Sequence, residues 1–194
     1  KPWKLNSSKL VINDNFFKLR SNSYTTPDGH VIEPYYIIDS EDWANCFVID
    51  DEMNVIMVEH YRPGANGYVL ELVSGILEAK DENPASGMRR ELREEIGYVG
   101  GTVQRIGASY ANPGRQNNKV HSFIAFGGQC SEQPSLEKGE DLRQVKMSYG
   151  ELKAAMQDTD RVFQSFHLTT IFFAQRFMAS SDNPTLQEFV QGAA

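Results

Sequence analysis

Apolar and polar residues follow a strand-like pattern through most of the first 72 positions, and helical spacing closes the chain, so a coarse pass shows strands first and helices last. Residues 9–20 (KLVINDNFFKLR) and 31–38 (VIEPYYII) read as two strands joined by a loop whose turn signal is Pro27-Asp28-Gly29. Residues 43–49 (WANCFVI) and 54–60 (NVIMVEH) predict a hairpin across Asp50-Asp51-Glu52-Met53, and 68–72 (YVLEL) a further short strand. A helix is expected over 84–96, followed by β-rich stretches at 99–110 and 119–128 and a strand near 141–147. Two helices, about 148–157 and 162–180, and a short segment after Pro184 close the chain. This order fits an α/β sandwich, a mixed sheet between helices over 41–194, preceded by an N-terminal antiparallel β extension over 1–40.

The helix at 84–96 carries the candidate chemistry. Asn83 suits the N-cap, and Pro84 suits the first helical position, where its missing N–H costs nothing. Ala85, Met88, Leu92 and Ile96 form one narrow apolar stripe, and Gly97 is placed to close the helix in the left-handed conformation. At roughly 100° per residue, Glu91, Glu94 and Glu95 share an edge beside that stripe. Like charges at this spacing repel, so the trio is either a solvated surface, helped by the Arg90–Glu94 pair, or a site for a divalent cation. Gly87, one turn earlier on the same side, is expected to leave room for a ligand.

Composition narrows the class. The 194 residues can build one sizeable core, and 40% hydrophobic with 23% charged is ordinary globular usage. The net charge of −7, with basic residues unclustered, argues against a nucleic-acid surface. Cys46 and Cys130 are too few for a disulfide framework and lack metal spacing, so a reducing compartment, the cytoplasm, is expected. No apolar run approaches a membrane span, no signal-peptide pattern opens the chain, and its start at Lys1 without Met suggests that native residues precede it.

The run GILEAKDENPASGMRRELREEIGY, from Gly75 to Tyr98, resembles the Nudix box: Gly, five residues, Glu, seven residues, then Arg-Glu-aliphatic-any-Glu-Glu-any-Gly-aliphatic. Its second half matches from Arg90 to Gly97, with Tyr98 in place of the final aliphatic. Its first half is one residue longer: counting forward from Gly75 reaches Asp81, and counting back from Arg90 reaches Glu82. The flanks NVIMVEHYRPGANGYVLELVSG (54–75) and YANPGRQNNKVHSFIAFG (110–127) look like the ADP-ribose pyrophosphatase branch, with Ser74 where Ala is usual and Asn112 where Ser is usual.

The resemblance implies a Nudix-type α/β/α sandwich and Mg²⁺-dependent hydrolysis, with Mn²⁺ as a substitute, of a nucleoside diphosphate sugar such as ADP-ribose or GDP-mannose. Glu91, Glu95 and Glu94, with the Ser74 carbonyl, are the implied metal ligands. Glu94 and Arg90 are also expected to serve catalysis, beside a general base drawn from SLEKGEDLRQV, either Glu137 or Glu140. Arg62, Glu71 and Arg115 are the expected substrate contacts, Arg62 through its planar fork. In the resembling enzymes an N-terminal extension pairs with or swaps onto a second subunit, so a homodimer is expected. Alternatives are a Nudix enzyme for NADH or diadenosine polyphosphates, and a non-catalytic nucleotide-sensing module.

Overall fold

The computed structural model describes residues 1–15, 17–136 and 138–192, and they form two compact units. The first unit combines residues 1–42 with 110–119. Its core is an antiparallel sheet of three strands, β1 (Lys4–Asn13), β2 (Lys18–Thr25) and β3 (Val31–Asp39), in the order β1-β2-β3. The stretch 9–20 is therefore not one strand. Asp14 breaks it, its backbone N–H donating to Phe17 O and its carboxylate accepting from Phe17 N–H at 2.7 Å. Asn13-Asp14-Asn15 is the turn signal that the apolar pattern on either side obscured. Beyond β2 the expected turn holds, with Gly29 at φ 91° and Thr26 N–H donating to His30 O. Segment 110–119 joins this sheet through a Tyr35 hydroxyl to Gly114 O bond of 3.0 Å and an Ile38 N–H to Arg115 O bond of 2.7 Å.

The second unit comprises 43–109 and 120–194. Its strands are β4 (Trp43–Ile49), β5 (Val55–Arg62), β6 (Gly67–Glu71), β7 (Val73–Ile76), β8 (Tyr98–Tyr110), β9 (Lys119–Cys130) and β10 (Leu142–Met147). They form one mixed sheet in the order β10-β5-β4-β9-β8, with β6 on β5 and β7 on β4; β4 and β9 run parallel. The hairpin between β4 and β5 closes on Asp50, whose Oδ1 accepts from Glu52 and Asn54 N–H at 3.0 and 2.8 Å.

Side chains alternate across this sheet with period two, and each set finds helices to bury it. Phe47, Ile49, Val55, Met57, Ile124 and Phe126 face helices α2 (Tyr149–Gln157), α3 (Ser165–Ala179) and α4 (Pro184–Gln191), which contribute Leu152, Ile171, Ala174, Met178, Leu186 and Phe189. Cys46, Val48, Ile56, Val58, Phe123 and Ala125 face helix α1 (Pro84–Ile96), which contributes Met88, Leu92 and Ile96. The result is the expected α/β/α sandwich. Helix α3 begins at Ser165, three residues later than expected.

Helix α1 follows its local signals. The Asn83 side chain accepts from Ala85 and Ser86 N–H, Pro84 occupies the first turn, and Gly97 ends the helix at φ 63°. A side chain at Gly97 would also collide with Glu132 O. The apolar stripe is held against the sheet, at about 2 kcal/mol for each large side chain fully buried. That leaves the neighbouring acidic edge with one fixed direction.

Candidate active site

The acidic edge of α1 faces β7, and the two approach closely because Gly75 has no side chain: a Cβ there would strike the Glu91 carboxyl. Around this contact lies a cavity of about 570 Å³ lined by Trp43, His60, Arg62, residues 74–76, Glu78, Arg90, Glu91, Glu94, Glu95, Ser135, Glu140, Gln164 and Phe166. Strand β5 supplies Arg62, β7 supplies Ser74, the segment before β10 supplies Glu140, and the start of α3 supplies Phe166. The trio of glutamates is thus gathered around one cavity with four further expected residues, Arg62, Ser74, Arg90 and Glu140. Glu137 lies outside the described residues.

The three glutamates are not equivalent. Glu94 is 41% exposed at its side chain and pairs with Arg90 Nη1 at 2.9 Å. Glu91 is 12% exposed and receives the same Nη1 at 2.8 Å. Burial raises its carboxyl to about 7, against the lowering by Arg90, with Glu94 and Glu140 adding to the rise. Glu95 is buried, accepts from the Ser74 backbone N–H, and keeps Oε2 without a hydrogen-bond partner among the described residues. Burial, then Glu91 and Glu140, push its carboxyl well above the ordinary range.

Arg90 ties the motif loop to the helix. Besides the two glutamates it donates to Ile76 O at 3.1 Å and to both oxygens of Asp81 at 3.1 and 3.2 Å, with Glu78 at 3.4 Å. These bonds, Asp81 foremost, raise its pKa further. Asp81 therefore holds Arg90 in the one-residue-longer loop, while Glu82 is exposed to solvent. The room expected beside Gly87 is filled: a Cβ there would meet Leu77 Cδ2 at 2.6 Å and Asp81 Oδ2 at 2.7 Å.

Arg62 donates Nε to Glu71 Oε1 at 2.9 Å and Nη2 to Oε2 at 2.7 Å, a bidentate pair that leaves the Nη1 side of the fork for an anion. Glu71, expected to meet substrate, is instead 1% exposed beneath Arg62, with both oxygens engaged. Arg115 belongs to the first unit, its guanidinium 6.0 Å from the Tyr35 ring centre. Sequence reasoning missed Trp43 and Phe166, whose rings stand 5.3 Å apart at the cavity. It also missed His167, wholly buried behind them. No short motif joins these residues, because the sheet brings them together across 123 positions of chain. On the first unit a more open depression of about 730 Å³ includes Arg20 and Asp39, already paired at 2.5 Å, and no cluster of carboxylates.

Among the described residues no three Asp, Glu, His or Cys side chains close into a ready-made metal cage. The donors nevertheless fit a hard divalent cation, which binds through one or two carboxylates and completes its shell with water and phosphate. Glu95 Oε2 is a buried acceptor without a donor among the described residues, and Glu91, its side chain 12% exposed, lines the same cavity.

Comparison with known proteins accounts for the motif. Residues 41–166 match the NUDIX domain model. The chain belongs to the Nudix family. It is 38% identical over 77 residues to an ADP-ribose pyrophosphatase of Bacillus subtilis, covering 40% of this chain and 41% of that protein. It is 29% identical over 125 residues to GDP-mannose pyrophosphatases of Citrobacter koseri and Salmonella typhimurium, covering 59% of this chain and 64% of each. The chain therefore spans less than two thirds of the length of these relatives. Its fold is similar to a solved ADP compounds hydrolase, with a TM-score of 0.77 at 17% identity over 100% of this chain and 98% of that one. The Nudix match includes the whole carboxylate wall.

Proposed function

We propose that this chain is a Mg²⁺-dependent pyrophosphohydrolase of nucleoside diphosphate sugars, with ADP-ribose first and GDP-mannose second, yielding a nucleoside monophosphate and a sugar phosphate. The observation that carries the reading is the pair of under-neutralised carboxylates, Glu91, partly buried, and Glu95, buried, in a cavity that also holds Arg62 and Glu140. The relatives named for ADP-ribose and GDP-mannose hydrolysis support the substrate class.

Glu91, Glu95, Glu94 and the Ser74 carbonyl would hold the cation, with Mn²⁺ as a substitute. Such an ion neutralises pyrophosphate charge and lowers the pKa of water. Arg90 fixes Glu91 and Glu94 by their outer oxygens, so the helix edge presents its carboxylates in one arrangement. Arg62 receives a phosphate oxygen on its Nη1 side while Glu71 holds the rest of the fork. Glu140 takes the proton from the attacking water at its carboxylate, and the Trp43 and Phe166 rings exclude bulk water from one side.

A homodimer and a reducing, cytoplasmic setting belong to the same proposal. Strand β1 is exposed along its whole length, and Leu5, Val11, Ile12 and Val31 lie 41–64% exposed on its sheet, apolar surface that a second copy would cover. Both cysteines are free thiols, and among the described residues no helix is long and apolar enough to cross a membrane. Mass photometry at micromolar concentration is expected to give twice the chain mass; monomer alone would remove the dimer.

The activity is tested with ADP-ribose, GDP-mannose, ADP-glucose, UDP-glucose, NADH and diadenosine polyphosphates, each with and without Mg²⁺, reading phosphate after coupling to a phosphatase. Cation-dependent release from a nucleotide sugar is expected. Release from none of them would favour a nucleotide-sensing module.

A further inference from the structure

Behind Arg62 runs a chain of buried polar side chains from four elements, of which the steps above use only Glu71. Glu71, from β6, is 1% exposed; Asn45 on β4, Ser122 on β9, and His167 and Thr170 on α3 are each 0% exposed. Burial at this depth costs stability unless each group is satisfied, so the hydrogen-bond directions are constrained. Thr170 Oγ1 donates to Asn45 Oδ1 at 2.6 Å, which leaves Ser122, 2.5 Å from Thr170 Oγ1, to donate into it. Phe166 O can only accept, which turns the Asn45 Nδ2 towards it at 3.3 Å, and the same Nδ2 lies 3.5 Å from His167 Nδ1. An N–H directed at Nδ1 makes that nitrogen the acceptor, so the imidazole proton belongs on Nε2. Nε2 stands 3.5 Å from Glu71 Oε2, an approach that falls short of a formed hydrogen bond, and makes no hydrogen bond among the described residues. The relay ends there: Ser122 to Thr170 to Asn45 to His167 to Glu71, which receives the Arg62 fork from the opposite side.

We propose that His167, fixed as its Nε2–H tautomer by Asn45, is a positioning residue that braces the Glu71 carboxylate and thereby aims Arg62 into the cavity. It does not touch substrate. It limits where Glu71 can rest, and Glu71 in turn holds two edges of the guanidinium, so the Nη1 edge meets an incoming phosphate without first reorganising. The inference rests on the pyrophosphohydrolase reading for the ligand of Arg62, while the arrangement of protons stands apart from it.

Long-range ¹⁵N–¹H correlation spectra of the four histidines at pH 7.5 test the tautomer, with the His167→Gln spectrum assigning the signal. A protonated Nε2 and bare Nδ1 are expected; the opposite tautomer or an imidazolium overturns the proposal. In ADP-ribose kinetics at saturating Mg²⁺, His167→Leu is expected to raise KM about tenfold with kcat held within about threefold. His167→Gln, which can return an N–H near the Nε2 position, should restore KM to within about twofold. Unchanged KM in the Leu variant, or a loss confined to kcat, overturns the positioning role. Should the Leu variant fail to fold, Thr170→Val, which frees the Asn45 amide, must shift the His167 Nδ1 resonance and raise KM; no change in either overturns it. If the wild-type chain hydrolyses no nucleotide sugar, the activity reading falls, and the spectra still decide the relay.

Discussion

Glu71 and Glu95 lie in the same unit with nearly equal burial, 1% and 5% exposed, yet their carboxyls move in opposite directions. Burial raises both. At Glu71 the nearby His167 ring and the bidentate Arg62 fork overcome it and hold the group at about 2. At Glu95 one backbone N–H and a more distant Arg62 meet the added repulsion of Glu91 and Glu140, and the group stays high. Burial alone therefore does not mark a functional carboxylate; the balance of charge within hydrogen-bond reach does. Glu71 is finished by the protein itself. The Glu91–Glu95 edge is left with charge that protonation or a cation would offset.

The largest expected effect separates the two corners by activity. Glu95→Gln should fold and lose about a hundredfold to a thousandfold in turnover of ADP-ribose at saturating Mg²⁺, the scale of losing a preorganised charge at a reacting centre. Its stability should move the other way. A carboxyl raised in the folded state contributes stability present below its unfolded pKa and lost as pH rises through the folded value. For Glu91 that window runs from 4.5 to about 7, and Glu95 continues it upward. Without added cation, Glu95→Gln should thus equal or exceed the wild type in urea unfolding at pH 8, and Mg²⁺ should raise the melting temperature of the wild type alone. Near-normal turnover, or an equal Mg²⁺ shift in both proteins, would place the cation elsewhere.

Glu71→Gln reverses the pattern. A carboxyl depressed from 4.5 to about 2 contributes about 3 kcal/mol of stability, present above pH 4.5 and lost as pH falls through about 2. The variant should be less stable by that amount at pH 7, and the gap should close in unfolding curves taken at pH 5, 4 and 3. A gap independent of pH would mean that packing, not charge, sets the cost. Turnover should fall chiefly through KM, because Arg62 loses its anchor while the acidic wall stays intact.

These two corners differed in how much of them sequence could reveal. The edge with Glu91, Glu94 and Glu95 was legible because helix periodicity is local: Asn83, Pro84, the apolar stripe and Gly97 fix the helix, and the helix fixes its edge. Arg62 could be singled out from its short motif, but its fork onto Glu71 could not, since strand alternation does not tell which buried acid an arginine will meet. Asn45, His167 and Thr170 were silent, being 122–125 positions apart along the chain where they hydrogen-bond or approach one another, and joined only by sheet register and the docking of α3. The order of sheet and helices followed from period two giving way to period 3.6. The break at Asp14 did not, because Val11, Ile12 and Phe17 continue the apolar pattern through a turn set by one carboxylate.

The smallest expected effect checks that stability and chemistry separate within the acidic edge itself. Asn83 lies at the far end of α1 from Glu95, and its Oδ1 takes the Ala85 and Ser86 N–H groups, each at 3.0 Å. Ser86 Oγ in turn serves the Asn83 backbone N–H, also at 3.0 Å. Asn83→Ala removes the cap and should cost about 1 kcal/mol, by urea unfolding at any pH from 5 to 8, since no titrating group is involved. Arg90 remains tied to Asp81 and Ile76 O, so the glutamates keep their places, and kcat at saturating Mg²⁺ should stay within about twofold. A loss of turnover approaching that of Glu95→Gln would mean that the carboxylate wall depends on the first turn of the helix, and that loss of general order, not of charge, explains both variants.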